Sequence, residues 1–416
     1  MLGDKGRNIR AGVVGLGNRG LGQMATLLDM EDVDVVALCD VYEDRLEKGA
    51  GLVNSMRGTQ PDCYGDYRKL VERDDIEAVF VFSSWTSHSR IAVAAMEAGK
   101  YAAMEVGGAA SVDECWQLVR TSERTGKPCM MLENCCYNRE EMALLNMVKK
   151  GIFGEVIHCQ GGYEHDLREE ICMGDVNRHY RRENFTHRNG ELYPTHELGP
   201  ICKWLNVNRG NRMTMLTSMA SKSRGLQLWM KEHRPGDPAP DFAQGDIVTT
   251  MIKCAHGETI TLLHDCSLPR PYSRGGRLQG TRGIWMEDNK SLCIEGLTEQ
   301  NDNWDHFPWE PFEKHIDRFQ HPLWKAYDEF GLRGGHGGMD YLVLRAFVES
   351  VQNGTQTPID VYDTAAWMSV TCLSEQSIAM GSMPVPVPDF TDGQWIGREP
   401  AVPGVFALDD VYESFF

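Results

Sequence analysis

The chain has 416 residues, too many for one ordinary domain, so two domains are the natural expectation. Hydrophobic residues make up 42% and charged residues 25%, an average globular balance that excludes general disorder. A formal net charge of −18 repels phosphate backbones and anionic lipid, which argues against nucleic acid or a membrane surface as the main partner.

Residues 9–15 read IRAGVVG, a short apolar run that suits a buried parallel strand. Gly15-Leu16-Gly17-Asn18-Arg19-Gly20 follows at once, a GxGxxG pattern, and residues 21–30 then carry helical apolar spacing. In such a pattern Gly15 allows the tight turn, Gly17 lets the backbone approach a pyrophosphate, and Gly20 lets helix and strand pack closely. The helix N-terminus offers free N–H groups and a positive dipole end to the phosphates. A second strand over residues 33–39 ends in Asp40, 20 residues after Gly20. A carboxylate there accepts bonds from ribose hydroxyls and repels a 2′-phosphate, so NAD is expected rather than NADP.

Strands are predicted at 78–82, 101–105 and 128–132, with helices at 87–98 and 111–125 between them. This repetition means a doubly wound parallel sheet, an α/β Rossmann domain. Ligands of such sheets sit beyond the carboxyl ends of the strands. Those ends carry Ser83-Ser84-Trp85-Thr86-Ser87-His88, Glu105-Val106-Gly107-Gly108 and Glu133-Asn134.

After a helix at 137–150 the pattern changes. Strands are predicted at 156–163, 213–219, 246–254, 259–265 and 281–286, mostly without crossover helices, which predicts an antiparallel or mixed sheet. Helices are predicted at 195–205, 336–352 and 361–380, and residues 299–335 are read as irregular surface structure. The expected division is a Rossmann domain over 1–134 and an α+β domain with a large open, mostly antiparallel sheet over 135–416.

Two polar clusters stand out in the second part. In Asn189-Gly190-Glu191-Leu192-Tyr193-Pro194-Thr195-His196-Glu197, Pro194 suits a first helical turn and the spacing brings Tyr193 and His196 to one face. The other cluster is Arg270-Pro271-Tyr272-Ser273-Arg274 with Gln279-Gly280-Thr281. A structural histidine and an ordinary turn aromatic remain open for His196 and Tyr272. Neither HExxH nor GxSxG occurs, so no metal site is expected and nothing marks a serine nucleophile. The 13 cysteines show no CxxC pair and are read as buried reduced thiols. No apolar run approaches the ~20 residues of a membrane span. The compartment stays open between cytoplasm and export with a signal segment missing from this chain.

The architecture resembles the Gfo/Idh/MocA oxidoreductases, whose dehydrogenases carry Glu-Lys-Pro at the end of the fifth strand. Here the segment is Glu105-Val106-Gly107, without the lysine. Together with Asn134, Tyr163, the stretch from Arg188 to His196, Tyr272 and Gln279-Gly280-Thr281, it looks like glycoside hydrolase family 109, which contains NAD-dependent α-N-acetylgalactosaminidases. That resemblance implies cofactor contacts from Asn18, Arg19, Asp40, Trp85, Thr86, Ser87, His88, Glu105, Val106 and Asn134. It implies sugar contacts from Tyr163, Arg181, Tyr193, His196 and Tyr272, with His196 and Tyr193 as the catalytic pair. Arg182 adjoins Arg181, and Glu197 stands where the family usually has glycine. The implied reaction is hydrolysis of a small or terminal-glycan sugar by transient C3 oxidation, C2 deprotonation, elimination, water addition and re-reduction. An NAD-dependent sugar or polyol dehydrogenase and a non-catalytic NAD-binding sensor remain the other readings, and a homo-oligomer is compatible with the predicted open sheet.

Overall fold

A computed structural model describes residues 6–300, 307–400 and 403–416. The first sheet is built from β1 (Ile9–Val14), β2 (Val33–Cys39), β3 (Asp62–Tyr64), β4 (Ala78–Val81), β5 (Tyr101–Met104) and β6 (Cys129–Met131). They run parallel in the order β3-β2-β1-β4-β5-β6. Its helices are α1 (Asn18–Leu28), α2 (Glu43–Arg57), α3 (Tyr67–Val71), α4 (Trp85–Glu97) and α5 (Val112–Thr125). The order reverses direction between β1 and β4, and a cleft at their carboxyl ends is where such sheets take ligands. The apolar runs of β1 and β4 are buried on both faces, as a helix-covered parallel sheet requires.

A 3₁₀ turn (Asn134–Tyr137) leads into α6 (Arg139–Lys149), whose start is capped by the Asn138 side chain. The second sheet has nine strands in the order β14-β13-β12-β11-β7-β10-β9-β8-β15. These are β7 (Val156–Glu164), β8 (Met213–Ala220), β9 (Ile247–Cys254), β10 (Thr259–Asp265), β11 (Arg277–Gly280), β12 (Gly283–Met286), β13 (Ser291–Ile294), β14 (Glu310–Pro311) and β15 (Val385–Pro386). Only β7 and β10 pair in parallel among them. Between β7 and β8 lie the short helices α7 (Arg168–Cys172), α8 (Gly174–Asn177) and α9 (Arg181–His187), then α10 (Thr195–Trp204). Later come α11 (Gly225–His233), α12 (Glu313–Phe319), α13 (Pro322–Phe330), α14 (Met339–Asn353) and α15 (Val361–Ala379). The mixed, mostly antiparallel second sheet matches the expected fold class.

Two expectations need correction. The strand expected at 281–286 starts only at Gly283, because Thr281 and Arg282 form the turn that pairs Gly280 with Gly283, and β11 before that turn was not expected. The segment 299–335 is not all irregular: outside residues 301–306, which lie outside the described residues, it contains β14, α12 and α13. Its prolines and aromatics masked helical signals. Pro322 occupies the start of α13, where its missing N–H costs nothing, and the His321 ring accepts the Leu323 N–H.

α14 and α15 return from the second sheet to the first. Phe347 of α14 packs edge-on against Phe80 of β4 at 5.1 Å, and Thr364 of α15 accepts the Met131 N–H at 3.2 Å. The start of α15 is anchored by a buried ionic group. Asp363 accepts from Lys203 (2.7 Å), Arg209 (2.8 and 3.0 Å) and Asn208 (3.2 Å). Arg209 also binds Asp360 at 2.6 Å and Asp409 at 3.0 Å, and Arg398 closes on Asp360. The charges balance, with three cations and three carboxylates. Asp360 and Asp363 also form the capping box of the helix.

All 13 cysteines are free thiols, ten of them buried. No helix of the described residues is long and apolar enough to cross a membrane.

Candidate active site

The glycine-rich turn after β1 has the shape a dinucleotide needs. Gly15 has φ of +97°, and a Cβ there would strike the Phe82 backbone at 2.6 Å. A Cβ on Gly20 would lie 2.1 Å from the Gly15 carbonyl oxygen, so only glycine lets α1 approach β1 this closely. Gly17 is different: a Cβ would meet nothing nearer than Arg45 at 3.7 Å, so its backbone faces open space. α1 starts there with no side-chain cap and no acidic residue in its first turn, leaving its N–H groups available to an anion. These features fit a pyrophosphate.

Asp40 accepts the Leu16 N–H (2.7 Å) on one oxygen and the Tyr42 N–H (3.0 Å) on the other. Each oxygen keeps a lone pair for a ribose hydroxyl. At the end of β4, Ser87 bonds Ser83 Oγ (2.7 Å) and Ser84 O (2.8 Å), and His88 Nε2 meets Ser83 O at 2.8 Å. Burial pushes His88 down, consistent with a neutral ring holding the turn. Ser87 and His88 therefore shape this loop, while Trp85 lies over Gly107, where a Cβ would sit 2.4 Å from the indole.

Arg19 ties three strand ends together. It donates to Glu105 (2.8 Å) and, with both terminal nitrogens, to Asp340 (2.7 and 3.0 Å). Asn134 bonds the same Asp340 at 2.8 Å, as does the His336 ring. Burial works against the Arg19 charge, but Glu105 and Asp340 outweigh it and hold the guanidinium firmly protonated. Asp340 and His336 were invisible to motif reasoning. The signal was a second glycine-rich run, Gly334-Gly335-His336-Gly337-Gly338, which straddles the boundary between the expected irregular segment and the expected helix.

The residues expected at the sugar form an aromatic cluster. Tyr163 at the end of β7 lies 4.3 Å from Tyr193 and 5.4 Å from His196, ring centre to ring centre. Tyr193 and His196 are 4.8 Å apart and nearly perpendicular. Tyr272, half exposed, stands at the rim 6.3 Å from Tyr163. Arg181 lies against Trp85, Tyr180 and Tyr193, between 5.3 and 5.8 Å from each ring centre, and donates to Glu170 at 2.6 Å. Its neighbour Arg182 turns away to the Cys172 carbonyl. The structure thus brings together all five residues expected at the sugar. It adds Tyr180 and His165, whose Nδ1 lies 3.2 Å from the Tyr163 hydroxyl.

His196 Nδ1 lies 2.8 Å from Oε1 of Glu133, a fully buried carboxyl at the end of β6. Burial alone would raise Glu133. The His196 charge and hydrogen bond, with bonds from Thr195 and the Cys135 N–H, outweigh it and hold the carboxyl below its usual range. With Nδ1 bonded to Glu133, Nε2 is the nitrogen left to take a proton. Glu133 was noted only as part of a strand end. Glu133, Cys135 and His196 also bring one ligand atom each within 4.8 Å of one another. The imidazole nitrogen and carboxylate oxygen of that trio are the atoms of the dyad, so a cation there and the hydrogen bond exclude each other.

Glu197 does not join the aromatic cluster. It buries against β7, where a Cβ on Gly161 would fall 1.8 Å from its Cγ, and its carboxyl lies 3.6 Å from Arg274. Burial and the neighbouring Glu141 push it well up, with Arg274 opposing. Glu191, two residues before Tyr193, is also fully buried, and burial pushes it up to about 8 despite a bond from the Tyr193 N–H. The folded state therefore holds a proton that the unfolded chain releases above ~4.3. Its effect on stability is fully favourable below that value and is lost as pH rises to about 8. Glu191→Gln should gain on the native protein by up to ~1.4 kcal/mol per pH unit across that window. Melting curves at pH 5 and pH 8 check this, and an equal shift at both would contradict it.

Residues 137–397 match the family model described as the C-terminal domain of glycosyl hydrolase 109. The chain belongs to glycosyl hydrolase family 109. Residues 9–133 match a second model, the oxidoreductase family with an NAD-binding Rossmann fold, and NAD is the cofactor of this domain type. A glycosyl hydrolase family 109 protein of Stenotrophomonas maltophilia (strain K279a) is 40% identical over 98% of this chain and 94% of its own. An alpha-N-acetylgalactosaminidase of Tannerella forsythia is 40% identical over 94% of this chain and 88% of its own. Among solved structures, myo-inositol 2-dehydrogenase from Lactobacillus plantarum superposes with a TM-score of 0.66 at 16% identity, over 92% of this chain and 100% of that one. Myo-inositol dehydrogenase from Lactobacillus casei, in complex with NAD(H) and myo-inositol, gives 0.63 at 14% identity, over 94% and 99%. These structures show that the family 109 chain shares its fold with the two myo-inositol dehydrogenases.

Proposed function

We propose that this family 109 chain is an NAD-dependent glycosidase that removes terminal α-N-acetylgalactosamine. The carrying observation is the Glu133–His196 dyad set among Tyr163, Tyr193 and Tyr272. The 40% identity to an alpha-N-acetylgalactosaminidase supports the substrate class. In this reading the dinucleotide-binding part ends at residue 134. Gly15, Gly17, Asn18, Arg19, Gly20 and Asp40 hold the adenosine and pyrophosphate half of NAD. Trp85 to His88, Glu105, Val106 and Asn134 frame the nicotinamide half.

NAD, when bound, supplies reversible oxidation of the sugar at C3, which acidifies the C2 proton. His196 Nε2 takes that proton, and Glu133 steadies the imidazolium that results. Burial pushes the phenols of Tyr193 and Tyr163 well up, so both keep their protons and donate to the oxygen where negative charge builds. Arg181 beneath Trp85 and Tyr193 supplies a fixed positive charge on the same side. Glu105, tied to Arg19 and Gln23, positions rather than protonates.

Purified protein should cleave an aryl α-N-acetylgalactosaminide with bound NAD and no net NADH. Absorbance of the released aglycone and of NADH, read together, separates the readings. Stoichiometric NADH from a free sugar or polyol, without glycoside cleavage, would establish a dehydrogenase instead.

A further inference from the structure

We propose that Asp340 and His336 form a latch on Arg19 that retains NAD in the protein through successive turnovers. The proposal rests on the glycosidase reading, in which the cofactor is restored at the end of each cycle. Departure of the cofactor then only interrupts catalysis, whereas an ordinary dehydrogenase must release it.

Arg19 is the second residue of α1, two residues beyond the open backbone at Gly17. Its guanidinium is fixed by a two-pronged bond to Asp340. Asp340 is the second residue of α14, 321 residues after Arg19 in the chain. The same carboxylate holds Asn134 at the end of β6. One buried side chain therefore clamps the phosphate loop and a strand end bordering the nicotinamide side.

The segment before α14 is shaped to place a second member. Gly334, His336, Gly337 and Gly338 all have positive φ, and His336 pays that strain at φ of +51°. A Cβ on Gly335 would lie 2.8 Å from Asp340 Oδ2, so glycine there lets the chain fold over the carboxylate. His336 is thereby turned back, its Nδ1 2.8 Å from Asp340 and 3.2 Å from Arg19, while most of its ring faces solvent. The latch thus has a buried part, Asp340, and an exposed part, His336, at the edge of the cofactor cradle.

The experiment follows NAD leaving the purified holoprotein. Protein prepared with excess NAD is diluted into cofactor-free buffer, and free NAD is assayed over time. Asp340→Asn keeps the shape but removes the charge, and should release NAD on the order of 100-fold faster. His336→Ala, at an exposed position that packing does not require, should release it about tenfold faster. The His336→Ala apoprotein should melt as wild type does, while Asp340→Asn, which takes a buried charge from Arg19, should melt lower. Unchanged release from both variants overturns the latch. If Asp340→Asn does not fold, His336→Ala decides alone. If wild-type protein takes up no NAD at all, the cofactor reading fails. A wild type that binds NAD but loses it as fast as the variants refutes only the latch.

Discussion

His196→Ala should lower cleavage of an aryl α-N-acetylgalactosaminide by at least ~100-fold, the scale of a positioned general base. The two neighbouring phenols are held protonated by burial and Arg181 is permanently charged, so of the residues expected at the sugar His196, through the Nε2 that Glu133 leaves free, offers the basic lone pair. Glu133→Gln sharpens the test. The amide fills the same volume but can donate to Nδ1, which puts the imidazole proton on Nε2 and removes the base without removing the ring. It should cost a comparable ~100-fold or more in kcat, with KM little changed, because the substrate-facing surface is intact. Activity within a few-fold of wild type in either variant would remove the dyad from the mechanism.

The second large effect is on stability. Asp363→Ala should cost about 3–5 kcal/mol, because it leaves Lys203 and Arg209 buried with too few carboxylates. Total stabilities of about 5–15 kcal/mol make that loss severe. α15 also reaches the site: Thr371 bonds the Glu191 carbonyl at 2.7 Å, and Glu375 accepts from Arg188 at 2.7 and 2.8 Å. Unfolding at its first turn therefore loosens the segment that carries Tyr193 and His196. Urea denaturation measures the loss, and a change below ~1 kcal/mol would show that the group is replaceable by solvent.

The first sheet was readable from sequence because alternating apolar strands and helical spacing are local signals. So was the pairing of Tyr193 with His196, set by a short segment opening on Pro194. The partners of those residues were not readable. Glu133 meets His196 across 63 residues, and Asp340 meets Arg19 across 321, so no spacing rule connects them. The direction of Glu197 was hidden for the same reason, since it depends on the space that Gly161 leaves on a neighbouring strand. The helices α12 and α13 were missed for a local reason, their prolines and aromatics being read as loop. Choosing Arg181 over Arg182 needed the helix orientation, which adjacent residues share too closely to reveal.

The return of α14 and α15 to the first sheet has a consequence for how the chain acquires its structure. All six parallel strands are present once residue 131 has been made, yet the edge-on ring against Phe80 and the acceptor of the Met131 N–H come only with residues 347 and 364. The nascent nucleotide-binding half must wait, with part of one face uncovered, for more than 200 further residues. Likewise β7 cannot find its parallel partner until β10 is synthesised, about 100 residues later. Such long-range closure is slow and exposes apolar surface meanwhile. The halves are distinct as sheets but reach their finished state together, only after α15 has been made.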